Sequence, residues 1–358
     1  MKKLAFIDHS FKKQSLSSAF LVDGLIEDYD VKSFWDDSWK GGPPIDLRLI
    51  SDGDFDVLIL FQQMSFYSAE ELSSLNCSII LVPMYDADGG RPDLFWYQYR
   101  KFKFINFSKT IHQRLQKLGI ESFYCQYFPP LPSPVLSREK ENDYSRLNGF
   151  FWQRRCEITW NEIRRLISQA NFAKMHIHTA TDPPGYELVL PSDEDLARYE
   201  ITTSSWFATK DDYLKAVAES QVYFAPRLCE GIGMAFLEAM AMGKCVVAPN
   251  FPTLNEYITH GYNGLLYDPN DPQPLDFSRV QEICRNVRKY MTEGRARWSA
   301  CQKQLSAFIA EPKRRRFPSL PVLRARFNLH FELLLFKIAS LPKRGKSGLK
   351  QLLNTRRF

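Results

Sequence analysis

The sequence predicts an α/β protein built from two doubly wound domains, and three observations carry that expectation. Short apolar runs alternate with helical patterns along the first 128 residues, a proline-rich and then charged break occupies 128–146, and the alternation restarts at 148. Strands alternating with helices build a parallel sheet covered on both faces. Two such sheets facing each other put their strand ends on a shared cleft, where ligands of these folds bind. With 358 residues the chain has ample surface to bury in two cores. Its 44% hydrophobic and 25% charged content argues against both wholesale disorder and a membrane bundle.

In the first domain, placed at 1–130, "LAFID" (4–8) reads as a strand, and Leu16, Phe20, Leu21 and Leu25 recur at helical spacing within 15–28. The runs 31–35, 56–61 and 78–84 read as buried strands, with the helix-forming "SAEELSSL" before the last of them. "FINFS" and "SFYCQYF" flank "KTIHQRLQKLG", a helix closed by Gly119. "FPPLPSPVLSREKENDYSR" forbids continuous secondary structure, and 131–146 is assigned as the linker. The second domain, placed at 147–290, has strands in "NGFFWQ", "AKMHIHTA", "QVYFAP", "CVVAPN" and "GLLYDP". Helices are expected around "WNEIRRLISQA", "DDYLKAVAES" and "GMAFLEAMAMG".

After "QVYFAP" comes the loop "RLCEGIG", whose Gly231 and Gly233 permit backbone conformations and close approaches that a side chain blocks. The helix starting near Met234 offers free N–H groups and a positive dipole end, a site for an anion such as a diphosphate. Glu230 and Glu238 frame that site. Carboxylates repel a bare phosphate but accept hydrogen bonds from hydroxyls on either side of it, as a nucleoside diphosphate sugar provides.

These residues form an E-x7-E element. "EGIGMAFLEAMAMGKCVVAP" and the later "NEYITHGYNGLLYDPND" resemble the donor-binding core of GT-B glycosyltransferases of the retaining family-4 type. The resemblance implies two Rossmann-like domains facing across a cleft, with Glu230 beside the transferred sugar and Glu238 on the ribose. Gly233 and Met234 would meet the phosphates through their backbone, with Gly231 and Ala235 completing the donor site. The implied activity is metal-independent, retaining hexosyl transfer from a nucleoside diphosphate sugar, with no cofactor. The acceptor would be a glycan or a lipid-linked molecule in cell-surface polysaccharide or glycoconjugate synthesis. Arg154 or Arg155 is expected to neutralise the leaving diphosphate, Arg154 counting among the catalytic residues. Asp86 is the candidate for positioning the sugar or the acceptor hydroxyl, and His178, at the end of its strand, for a donor contact. Three departures stand out. Arg227 follows Pro226 where the family commonly has serine, no lysine follows the arginines at the usual place, and "IDHSFKKQS" replaces a glycine-rich loop, so that Asp8, His9 and Lys12 line that end.

Other constellations compete. Asp86 and Asp88 form a D-x-D of the kind that holds a divalent cation in the GT-A fold. His176 and His178 share one strand face, a spacing compatible with a metal but more often a core or cleft-lining feature. "FWDDSW" (34–39) is read mainly as core, with sugar stacking as the alternative. The same fold also serves nucleotide-sugar epimerases, and a catalytically silent sugar-binding or scaffold protein at the membrane is the third reading.

Residues 291–358 are expected to hold C-terminal helices and a basic amphipathic tail. From 312 onward 13 Lys and Arg face one acid, Glu332, so the tail carries +12 and the body −6. The tail is expected either to lie on an anionic membrane surface or to dock on the two domains. Nucleic acid is not expected, because the body is acidic and no recognition motif accompanies the tail. With no run of 18 apolar residues and no signal-peptide core, the expected location is cytoplasmic, peripheral on the inner face of the membrane. Seven scattered cysteines without C-x-x-C suggest reduced, mostly buried thiols.

Overall fold

The computed structural model of the chain describes residues 1–133, 144–182, 185–313, 322 and 327–333. The central part of the expected linker and most of the basic tail, with its expected membrane contact, lie outside the described residues.

The first sheet holds β1 (Lys2–His9), β2 (Tyr29–Asp36), β3 (Val57–Phe61), β4 (Ser78–Val82), β5 (Lys103–Asn106) and β6 (Ser122–Tyr124), all parallel in the order β2-β1-β3-β4-β5-β6. The second holds β7 (Leu147–Trp152), β8 (Phe172–His178), β9 (Thr202–Ser204), β10 (Val222–Phe224), β11 (Cys245–Pro249) and β12 (Leu265–Tyr267), parallel in the order β12-β11-β10-β7-β8-β9. Every residue of β3 and β11 is buried, the mark of strands covered on both faces. The strand order reverses direction at β1/β3 and at β7/β10. Crossovers therefore leave over opposite faces there, and a crevice opens beyond the strand ends. Those two crevices hold the loops that build the site.

Some elements differ from the sequence reading. The helix expected over 15–28 resolves into Lys12–Ser15 and Ala19–Leu25, interrupted by Leu16 at φ 51°. The edge strand β9 is Thr-Thr-Ser and has no apolar alternation to announce it. A 31-residue helix, Val280–Ala310, runs through residue 290 and joins the two domains. It packs against the helix Met234–Ala241. Further along, Gly294 passes the Phe128 ring so closely that a Cβ would collide with it, and Trp298 is buried among Phe20, Phe107 and Tyr127. At the far end the Lys103 ammonium on β5 donates to the carbonyls of Ile309 (3.3 Å) and Glu311 (2.6 Å).

The same helix corrects the expectation of reduced thiols. Cys125 and Cys301 form a disulfide across 176 residues of sequence, a proximity created only by the helix returning to the first domain. Of the other five cysteines, only Cys245 and Cys284 are buried, and Cys156 is exposed. Beyond it, 327–333 is helical and Leu329 is buried in the first domain's core. Glu256, on the short helix Leu254–Tyr257, reaches over the domain boundary. It accepts hydrogen bonds from Lys109 N (2.6 Å), Thr110 N (2.9 Å), Thr110 Oγ1 (2.7 Å) and Ser108 Oγ (3.0 Å), capping the helix Lys109–Lys117.

Candidate active site

The two crevices face each other across one cleft of about 880 Å³. All ten residues named from the sequence as site candidates line it: Asp86, Arg154, Arg155, His178, Gly231, Gly233, Met234, Ala235, Glu230 and Glu238. Their convergence follows from topology. The arginines sit just beyond β7, Glu230 to Ala235 beyond β10, and Asp86 beyond β4 on the opposite wall.

The loop after β10 depends on its glycines. Gly233 takes φ 83° at the N-terminal boundary of Met234–Ala241, a left-handed conformation, and a Cβ there would strike the Phe236 ring. No described side chain caps this helix, which leaves its first N–H groups without a side-chain partner at the cleft. At Gly231 a Cβ would lie 2.9 Å from Asp86 Oδ1 and 3.0 Å from Met84 Cβ, so its absence lets the two domains approach.

Charge is dense here. Glu230 is buried, and burial pushes its carboxyl up to about 7 although Arg227 and Arg154 pull the other way. Arg227 donates to Asp86 Oδ2 at 2.8 Å and lies 3.8 Å from Glu230 Oε2. Burial opposes its charge, but Glu230 and Asp86 outweigh that and hold the guanidinium firmly cationic. Glu238 pairs with Lys210 at 2.5 Å. Arg154 pairs with Asp182 and sits 5.2 Å from the Trp152 ring centre, while Arg155 donates to the Asp182 carbonyl at 3.0 Å and lies 3.5 Å from Glu157. Across the cleft, buried Asp8 lies beneath Lys12 at 3.2 Å, and Lys12 also donates to Gln62 at 2.9 Å. Thus His9 and Lys12 line the cleft and Asp8 supports them from below.

The competing constellations resolve as follows. Asp86 lines the cleft, whereas Asp88 is buried beside Arg91, with burial raising it to about 6. The D-x-D carboxylates therefore serve different surroundings. His176 and His178 both bond the Ser204 hydroxyl, at 2.8 and 2.9 Å, and burial lowers His178 to about 4, which makes it a neutral ring stacked on Phe207. Among the described residues no group of three His, Cys, Asp or Glu is arranged to hold a metal. Within "FWDDSW", Asp36 is buried, while Trp39 is 40% exposed, lines the cleft and stacks on His9 at 4.2 Å. The core reading therefore fails for Trp39. Sequence reasoning passed over Arg227, treated as a mere departure, and Lys210. The signal for Arg227 was its place three residues before Glu230 in a loop between strand and helix.

Fold and cleft together are those of the GT-B class, two Rossmann-like domains meeting at a ligand crevice. Residues 145–280 match the family model described as glycosyl transferases group 1. Two uncharacterized glycosyltransferases of Methanocaldococcus jannaschii are similar: MJ1178, 32% identical over 84 residues (24% of this chain and 24% of its own length), and MJ1069, 30% identical over 114 residues (30% and 29%). The similarity thus spans less than a third of either relative. Among solved structures, Anabaena Alr3699/HepE in complex with UDP and glucose aligns with TM-score 0.60 and 14% identity over 87% of this chain and 100% of that one. Sucrose-phosphate synthase from Thermosynechococcus elongatus aligns with TM-score 0.58 and 14% identity, over 86% and 98%. These likenesses concern the fold.

Proposed function

We propose that the protein is a glycosyltransferase that moves a sugar from a nucleoside diphosphate sugar, held by the second domain, to an acceptor hydroxyl held by the first. The observation that carries this reading is the meeting of Glu230, Glu238, an uncapped helix N-terminus and two arginines in one cleft. The diphosphate lies at Gly233 to Ala235, Glu238 exchanges Lys210 for ribose hydroxyls, and Glu230 accepts from hydroxyls of the sugar. Arg154 or Arg155 turns from Asp182 toward the diphosphate and, with the helix dipole, stabilises the charge that develops as the glycosidic bond breaks. Asp86 orients the sugar or the acceptor. HepE structures are of complexes with UDP and glucose and with UDP-glucose, which supports a donor of this class.

Transfer proceeds with retention and without a metal, the leaving diphosphate helping to take the proton of the attacking hydroxyl. A glycan or lipid-linked acceptor in surface polysaccharide or glycoconjugate synthesis suits this reading, and the +12 charge of 312–358 would favour an anionic membrane face. Melting with UDP, GDP, ADP, TDP or CMP in EDTA tests the donor site. A ligand at 100 times its Kd adds about 2.7 kcal/mol, and the shift should vanish in Glu238→Ala. Glu230→Ala should lower kcat on the order of 100-fold, whereas Glu238→Ala should weaken donor affinity roughly tenfold or more. Unimpaired turnover in both variants sinks the reading.

A further inference from the structure

Arg227, on the loop after β10, is gripped by both domains. It is only 8% exposed, and Asp86 from the first domain and Glu230 from the second both approach the same Nη1 atom, at 2.8 and 3.8 Å. The loop itself is anchored from behind: Glu230 N donates to the Pro252 carbonyl and Thr253 Oγ1 donates to the Glu230 carbonyl, each at 3.3 Å. Asp86 Oδ1 and Arg227 Nε are buried without a hydrogen-bond partner among the described residues, so the pair keeps capacity for a polar ligand. A guanidinium is always charged, so the one Nη1 attracts both carboxylates at once.

We propose that Arg227 is a positioning residue: by clamping Asp86 of one domain to Glu230 of the other, it fixes the Glu230 carboxylate at the sugar end of the cleft. The inference rests on the reading of the cleft given above. Glu230 is also faced by Arg154 and Arg155 from the loop after β7, by Asp86 from the opposite wall, and on its own element by Cys229 and the buried Tyr223 hydroxyl. Of the cations, Arg227 opposes the effect of burial most strongly. Without it, burial and Asp86 work against Arg154 and Arg155 alone, and Glu230 takes up a proton at higher pH.

The test uses full-length wild type, Arg227→Met and Arg227→Lys labelled with [13C]glutamate, the Glu230 carboxylate being assigned through Glu230→Gln. In Arg227→Met its titration should move up by roughly one pH unit or more, with Arg227→Lys in between. With UDP-glucose as probe, the acid limb of kcat should move in parallel, while UDP affinity by calorimetry stays within about twofold, since Arg227 is engaged by Asp86 and Glu230. If the methionine variant does not fold, the lysine variant carries the comparison. An unmoved titration, or a loss of UDP affinity as large as the loss of kcat, overturns the role of Arg227. A moved titration in a protein that turns over no nucleotide sugar overturns the transferase reading and leaves the clamp standing.

Discussion

Glu230 concentrates the electrostatic tension of the molecule. Its folded carboxyl titrates near 7 against an ordinary value of 4.5, burial being the main cause. Below 4.5 both folded and unfolded chains hold the proton and the group costs nothing. As the pH rises through the window from 4.5 to 7, the unfolded chain ionises while the folded one retains its proton, so stability falls and then levels off. Glu230→Gln removes this dependence and leaves Arg227 its partner Asp86. The variant should therefore be stabilised at pH 8 relative to wild type, on the order of 1–3 kcal/mol, and little changed at pH 4.5. Urea melts at the two pH values decide it, and an equal difference at both would refute the assignment. His9 and His178, both lowered to about 4 chiefly by burial, act oppositely, since their stabilisation is present above 6.5 and lost as pH falls through 4. They cancel in a comparison of the two proteins.

At the scale of elements, the helix Lys109–Lys117 shows how one carboxylate ties two domains together. Ser108 bonds Ile111 N at 3.4 Å in the usual N-cap manner, but Glu256 from the other domain takes the N–H groups of Lys109 and Thr110. A negative charge at a helix N-terminus gains from the dipole as well as from charge-assisted hydrogen bonds. Glu256→Ala should lose about 1–2 kcal/mol, and hydrogen exchange should accelerate at Lys109 and Thr110 ahead of the β-strands. Protection unchanged at those amides would show that the cap is dispensable. Such a contact also marks what a sequence conceals. The strands β3, β4 and β11 were legible because a buried parallel strand must be a short, continuous apolar run. The loop at Glu230 was legible because two glycines and two glutamates around a helix start leave few physical purposes. Glu256, by contrast, looks like any surface glutamate of a short helix, and β9, with three hydroxyl residues, is specified by its pairing with β8 rather than by its own pattern. Arg227 was visible only as a residue out of place, since its partner Asp86 lies 141 positions away.

For the whole molecule, the decisive element is the helix Val280–Ala310, which starts on the second domain and ends on the first. A contiguous apolar cluster runs from β1 and β3 through Phe128 and Trp298 to β10 and β11, so the two sheets are joined behind the cleft by a shared core. Trp298 is its keystone on the first-domain side, 1% exposed and edge-on to Tyr127 at 5.2 Å. Removing so large a buried ring costs about 3–5 kcal/mol. That loss falls on the packing between helix and first domain, while the loop Glu230 to Ala235 and the helix behind it stay seated on the second. Trp298→Ala should accordingly lower the urea midpoint and expose Tyr127 and Phe107 to solvent. If the proposed function holds, it should also reduce kcat more than it weakens nucleoside diphosphate binding, because in that proposal the donor is held by the second domain alone while transfer uses both. Calorimetry beside turnover measurements separates the two effects. Parallel loss of binding and turnover would mean that the donor site itself depends on the first domain, and the division of labour across the cleft would have to be redrawn.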